Sequence, residues 1–463
     1  MCGVLLMFSK KQSFIKGAII ISLGGFISKI LGAVYRIPLS NYLGGRGMGI
    51  YQMVYPLYCI LLTVSASGIP TGIARLISSG RSPGAEKQAF RLYGAIGIIG
   101  VLAMALLAAP LAYIQGEEAV ELCCLMLCPS VFFVSVLSIV RGYFQGLGNM
   151  YPTAVTEVSE QAIKVALGCL LAYMFKDNLK IAVASTLFSV TVSEAVSALL
   201  AVLWYLKSRG RLPLFRPRAV PYSGILKFTI PLTFTAIALP ASQLLESIIA
   251  VRLLRQTSDA ATALYGIFSG CAVTMVNLPV SVTYGLAAAS VPQISPLAEK
   301  GDADGAKGKA FKAILFTFLI SVPAALILFI FAPPAADMIF PSLQQSEREL
   351  LCDLVKIMSV NAITLSLVQT SSACLTALGS PVKSTVTQWV TGILRVALSA
   401  LLIKFTSLSI MGAAISANCS YLVAALINFW YIIRYKAKEK GCDNEDNADR
   451  FGNIGRRLDK ESV

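Results

Sequence analysis

Twelve apolar stretches, each about 20 residues long and separated by short polar connectors, run from Gly17 to Ile433. We place them at 17–38, 47–70, 90–114, 119–141, 155–175, 181–206, 225–250, 262–290, 310–333, 354–378, 383–404 and 409–433. None alternates apolar and polar residues as a barrel strand would. Backbone groups inside lipid must be satisfied within the segment, so continuous apolar runs of this length are helices. The expected fold is an all-α polytopic membrane protein of about twelve spans. Pro56, Pro70, Pro231, Pro240 and Pro323 fall within the spans and predict bends.

Composition agrees: 56% of the chain is hydrophobic and 14% charged, against roughly 25% charged in an ordinary soluble domain. Lys and Arg collect in the connectors on the side that holds both termini, which places both termini in the cytoplasm. The heaviest basic connector, 207–224, divides the spans into six and six. We therefore expect a short N-terminal segment (1–16), an N-terminal lobe (17–206), the basic inter-lobe loop (207–224), a C-terminal lobe (225–433) and a polar cytoplasmic tail (434–463). Met1 to Phe8 is apolar and precedes Lys10, Lys11 and Lys16, the reverse of the order in a cleaved signal. Met7 is a second candidate start.

The net charge of +15 sits at membrane edges and in the tail, matching anionic lipid rather than nucleic acid. Eleven cysteines, with Cys123, Cys124 and Cys128 clustered, lack paired metal-ligand spacing, and the chain has no His. They read as small apolar packing residues, so no metal site and no cofactor is expected. Any coupling to H+ or Na+ must then use carboxylates, and the membrane potential is a further possible drive.

The two halves echo each other. Leu147-Gly148 and Val165-Ala166-Leu167 recur at equal separation as Leu378-Gly379 and Val396-Ala397-Leu398, which aligns Lys164 with Arg395, Thr156 with Thr387 and Glu157 with Gln388. Tyr51 and Tyr265 form a weaker echo. With six spans per unit the repeats share one orientation, related by a pseudo-two-fold axis along the membrane normal, and leave a cleft between two bundles. Transport by alternating exposure of that cleft is the expected activity.

Charged residues within the spans are the candidate site. Lys29 and Arg36 lie seven residues apart on one face of span one, and a cation at mid-membrane costs at least about 2.5 kcal/mol on insertion scales. Glu157, Glu160 and Lys164 form a polar stripe on span five, with Glu160 and Lys164 in the favourable order for an i,i+4 pair. Gln388 and Arg395 repeat the stripe on span eleven. The stripe reads either as a structural pair or as substrate contacts from both lobes. Glu194 and Glu246 are acids suited to ion coupling or to pairing with those cations. Arg75, after Gly68-Ile69-Pro70-Thr71-Gly72, reads equally as an anionic-headgroup contact or as a membrane anchor. Cations lining a cleft select an anionic ligand, and phosphate suits Lys and Arg.

The run Ser28 to Pro38, then Tyr42-Leu43-Gly44 and Gly49-Ile50-Tyr51-Gln52, together with a span-four exit loop Arg141-Gly142-Tyr143-Phe144-Gln145-Gly146, resembles the stage V sporulation protein B and polysaccharide-biosynthesis family. That family lies in the multidrug/oligosaccharidyl-lipid/polysaccharide exporter superfamily, and the resemblance covers all twelve spans. It implies a MATE-like fold and a bacterial plasma-membrane flippase, expected as a monomer. Its substrate would be a polyprenyl-pyrophosphate-linked saccharide or peptidoglycan precursor for cell wall, spore cortex or polysaccharide. By that resemblance Lys29 matches a cavity cation of the superfamily's lipid II flippases and Arg36 falls within one position of a second; the additional pair of spans of those flippases is missing here. A cation-coupled drug or metabolite antiporter would favour an acid-dominated cleft. A membrane enzyme of polysaccharide assembly would need a large outer loop, and the longest, 334–353, holds only scattered acids.

Loop charge sets a first test. Reporter fusions at Gly116 and Ser342 are expected to read outside the cell and fusions at Pro83 and Arg211 inside; inversion of any one would break the twelve-span topology.

Overall fold

The computed structural model describes residues 14–66, 68–78, 85–209 and 222–436. It is helical throughout: α1 (Phe14–Ala66), α2 (Ile69–Ser78), α3 (Ala85–Gln115), α4 (Ala119–Gly146), α5 (Tyr151–Met174), α6 (Leu179–Arg209) and α7 (Tyr222–Leu254) make up the first part. There follow α8 (Ala261–Gly266), a π-helical turn (Ile267–Ala272), α9 (Val273–Glu299), α10 (Ala303–Ile330), α11 (Ala332–Ile339), α12 (Gln345–Ala377), α13 (Pro381–Phe405) and α14 (Met411–Ile433). Most of the 207–224 loop, the N-terminal segment and nearly all of the polar tail lie outside the described residues.

By length and composition, ten helical stretches among the described residues can cross a membrane. The stretch containing α1 is two spans, because its backbone breaks at Gly44 (φ +63°, ψ −175°) and the chain turns back there without leaving helix on either side. Adding α5, whose polar stripe lowers its hydropathy, gives the twelve spans of a multi-pass membrane protein. Connections are short and chemically marked. Gly301 at φ +82° ends α9, and the Asp302 carboxylate accepts the Gly305 N–H at 2.8 Å to start α10. Likewise Gln344 and Glu347 form a reciprocal capping box at α12.

Two expectations need correction. The 334–353 connector is not an irregular loop: α11 and the first turns of α12 occupy most of it, because the Pro333–Pro334 pair suits a helix N-terminus and the capping box starts the next helix. The Arg141–Gly146 stretch is likewise the end of α4 rather than a loop. Its glycines let α2 press onto it: a Cβ on Gly142 would stand 2.7 Å from Pro70 Cα, and one on Gly146 3.0 Å from Ala74 Cα.

The short connections make successive spans antiparallel. We call proximal the face of the α4–α5, α9–α10 and α12–α13 connections, and distal the face of the Gly44 turn and the α3–α4, α7–α8 and α11–α12 connections. On the distal side one hydrophobic core joins the two halves of the chain, from Tyr35, Met48, Met53 and Tyr58 to Phe268, Phe340 and Leu354. On the proximal side the core divides. Leu137, Tyr143 and Tyr205 cluster in the first half, Ile294, Cys374 and Ile432 in the second. Cys123, Cys124 and Cys128 are buried in the distal core as packing residues.

Glycines set how tightly the distal halves meet. A Cβ on Gly49 would overlap the carbonyl oxygen of Thr262, and one on Gly266 would overlap the carbonyl oxygen of Gly45. Small residues four apart allow this backbone approach in membrane helices. Polar groups complete the seal. Glu117 accepts from Arg46 (3.3 Å) and Thr262 (3.2 Å) and faces Arg255 at 3.7 Å, and Asn41 donates to the Ile339 carbonyl at 2.7 Å.

Candidate functional site

Beneath this seal a cavity of about 720 Å³ lies between the halves. α1 and α5 form one wall, and α7, α9, α12, α13 and α14 the other. Tyr51 and Tyr265, paired by the sequence echo, both line it, and Tyr55 stacks on Tyr51 with ring centroids 5.4 Å apart.

The cavity roof rests on the π-helical turn between α8 and α9. Such a turn misaligns one carbonyl from its helical partner, and here the Gln52 amide donates to the Ser269 carbonyl at 2.7 Å. Neither this turn nor the Gly45/Gly49–Gly266 contact is part of the sequence reading. The four-residue spacings Gly45–Gly49 and Gly266–Gly270 are the signal that marks them.

Of the expected cations, Arg36, Lys164 and Arg395 line the cavity. Arg36 and Lys164 sit within electrostatic reach of each other on the α1–α5 wall. Their side chains reach that wall because α1 packs on α5 through glycines: Gly24 meets Ala154 and Gly32 meets Gln161. The Lys29 side chain lies outside the described residues. Arg75 is exposed on the last turn of α2 and does not line the cavity.

The acids are sorted by partner. Glu160 does not take Lys164 as its i,i+4 partner. It accepts from Arg141 of α4 at 3.1 Å, and the Arg141 Nε donates to Thr156 at 2.9 Å. A planar guanidinium bridges two groups one helical turn apart on α5, a geometry the lysine ammonium cannot match. Lys164 is thereby left to the cavity, with Glu160 and Glu194 among the charges that act on it. Glu194 is 4% exposed, and Tyr58 donates to one of its oxygens at 3.3 Å. Its other oxygen is buried with no hydrogen-bond partner among the described residues. Glu157 faces Gly25 of α1 and stands outside the cavity lining.

In the second half Glu246 takes Arg395 in a fork, at 2.9 Å from Nε and 2.7 Å from the terminal nitrogen, while the Arg395 Nη1 donates to Tyr421 at 2.9 Å. Arg395 thus matches Lys164 in register but differs in state, because its charge is already neutralised. Gln388, one turn before it, lines the cavity. No group of three metal-ligating side chains occurs among the described residues.

A family model for polysaccharide biosynthesis proteins matches residues 14–298. The chain belongs to that family. Within and around the polysaccharide biosynthesis family, it is 25% identical over 438 residues to stage V sporulation protein B of Bacillus subtilis (strain 168), covering 90% of this chain and 83% of that one. It is 21% identical over 456 residues to the lipid II flippase MurJ of the same organism, covering 92% and 83%. Among solved structures it resembles an inward-facing multidrug resistance MATE transporter of the MOP superfamily, with a TM-score of 0.75, 18% identity and coverage of 90% and 97%. An outward-facing MATE structure matches with a TM-score of 0.63, 17% identity and coverage of 90% and 95%. The chain therefore has the MATE fold, and its family membership points to a transporter rather than a catalytic enzyme.

The pairing pattern has a direct test in thermal unfolding of purified protein. Arg141→Ala and Glu160→Ala should each lower stability, by up to the roughly 3–5 kcal/mol seen in soluble cores, and the double change should recover much of the loss. Lys164→Ala should leave stability near wild type. An equal loss at Lys164, rescued by Glu160→Ala, would reassign the partner.

Proposed function

We propose that this transporter is a flippase that moves a polyprenyl-pyrophosphate-linked saccharide or peptidoglycan precursor across the bacterial plasma membrane. The N-terminal lobe (17–206) and C-terminal lobe (225–433) rock about the cavity between them. Both termini, and hence the proximal face, are cytoplasmic. The cavity then receives its headgroup from the inside while the glycine seal closes the outside.

One observation carries this reading: the cavity wall presents Arg36 and Lys164, and the single carboxylate among its described lining residues, Glu246, is already held by Arg395. The free field of the cavity is cationic. It suits pyrophosphate and opposes the cationic ligands of a drug antiporter. The relatives named for sporulation and for lipid II flipping support the same substrate class. Lys29 adds a third cation by family resemblance. Glu194, buried with one oxygen unbonded, is the group proposed to couple transport to H+ or Na+, with Glu160 and Glu157 as its polar surroundings.

Reconstituted vesicles carrying an undecaprenyl-pyrophosphate-linked saccharide test the proposal. Arg36→Ala, Lys164→Ala and Lys29→Ala should each slow transbilayer movement about tenfold or more, the size expected for losing a charged hydrogen bond. Thermal stability should stay near wild type, and Lys29→Arg should retain part of the rate. Full-rate transport by the Arg36→Ala, Lys164→Ala double variant would remove both residues from the headgroup site.

A further inference from the structure

The two walls of the cavity differ in chemistry. The α1–α5 wall carries the uncommitted cations Arg36 and Lys164 beside the amides Gln52 and Gln161. The opposite wall carries amides: Gln243 on α7, Asn277 on α9, Asn361 and Gln369 on α12, and Gln388 on α13. Its only ionic groups in the lining, Glu246 and Arg395, neutralise each other. Among the described residues no formal charge on that wall is left for a ligand.

Two of the amides are held ready for a partner. Asn361 is 2% exposed, and neither its Oδ1 nor the Oε1 of Gln369 has a hydrogen-bond partner among the described residues. A buried acceptor without a donor is a standing cost of the fold. It is relieved by a ligand that brings O–H or N–H donors. Tyr265 and Tyr421 also line the cavity and offer apolar ring faces with polar tips.

Resting on the flippase reading above, we infer that the headgroup binds across the cavity, with its pyrophosphate on the α1–α5 wall and an uncharged saccharide on the amide wall, and that Asn361 and Gln369 select for that saccharide. Sugar hydroxyls and N-acetyl amides supply the missing donors. A peptide-bearing headgroup instead brings carboxylates and an ammonium group onto a wall with no free countercharge, where an unpaired charge is strongly disfavoured. Sites built on buried hydrogen-bonding groups discriminate far more sharply than apolar ones. Neutral glycan precursors are therefore the preferred cargo, in contrast to lipid II.

Binding to the full chain in nanodiscs tests this with three probes: undecaprenyl pyrophosphate, the same lipid carrying one N-acetylglucosamine, and lipid II. The sugar-bearing probe should bind at least tenfold more tightly than the bare pyrophosphate, and lipid II no more tightly than the bare lipid. The near-isosteric pair Asn361→Leu, Gln369→Met should erase the gain from the sugar and leave the bare lipid unaffected. Gln369→Lys should raise lipid II binding, a gain that misfolding cannot produce. Tightest wild-type binding to lipid II, or equal weakening of the bare and sugar-bearing probes in the paired variant, would overturn the inference while leaving the flippase reading standing. Failure of the bare pyrophosphate itself to bind would overturn both.

Discussion

The backbone contact between the second half of α1 and α8 is the constraint on which the rest depends. Gly45 and Gly49 meet Thr262 and Gly266 so closely that no side chain fits between them. Lipid supplies no hydrophobic drive for two helices to associate, so close van der Waals packing must do so. Because these helices cannot separate without breaking that packing, the distal cores fuse into one, the Glu117 and Asn41 contacts fall into place, and the splayed proximal ends leave the cavity.

A second constraint sorts the charges. An ion inside a membrane protein must be paired or face water, since leaving it alone in hydrocarbon costs several kcal/mol. Arg141 with Glu160 and Arg395 with Glu246 satisfy that demand within the protein. Arg36 and Lys164 satisfy it by facing the cavity. The same rule that stabilises the bundle thus decides which cations remain for a ligand, and the asymmetry between Lys164 and Arg395 arises on positions that the internal repeat makes equivalent.

The number and placement of spans were legible in the sequence because hydrophobic length is a local property. So was the candidacy of Arg36, Lys164, Glu246 and Arg395, since a charge in an apolar run is conspicuous by itself. What the sequence left open was partnership. Glu160 has Lys164 four residues away and Arg141 on another helix, and helix packing rather than spacing favours the arginine. Glu246 likewise finds Arg395 across 149 positions of chain. Arg75 read equally as a headgroup contact or a membrane anchor, and the end of α2 sets it outside the cavity lining. The helical end of α4 and the helices within 334–353 were hidden for a different reason: their glycines and prolines serve here as close-contact residues and helix starts.

If the glycine contact holds the distal face shut, enlarging it should open that face without unfolding the helices. The most direct measurement is the distance between spin labels at Asp177 and Asp259, exposed on the distal face in the first and second halves of the chain, in a background with the native cysteines replaced. The account predicts one short distance population in the wild type and a shift to a longer one in Gly49→Leu and Gly266→Leu, with helical content retained. An unchanged distance in both glycine variants would contradict it.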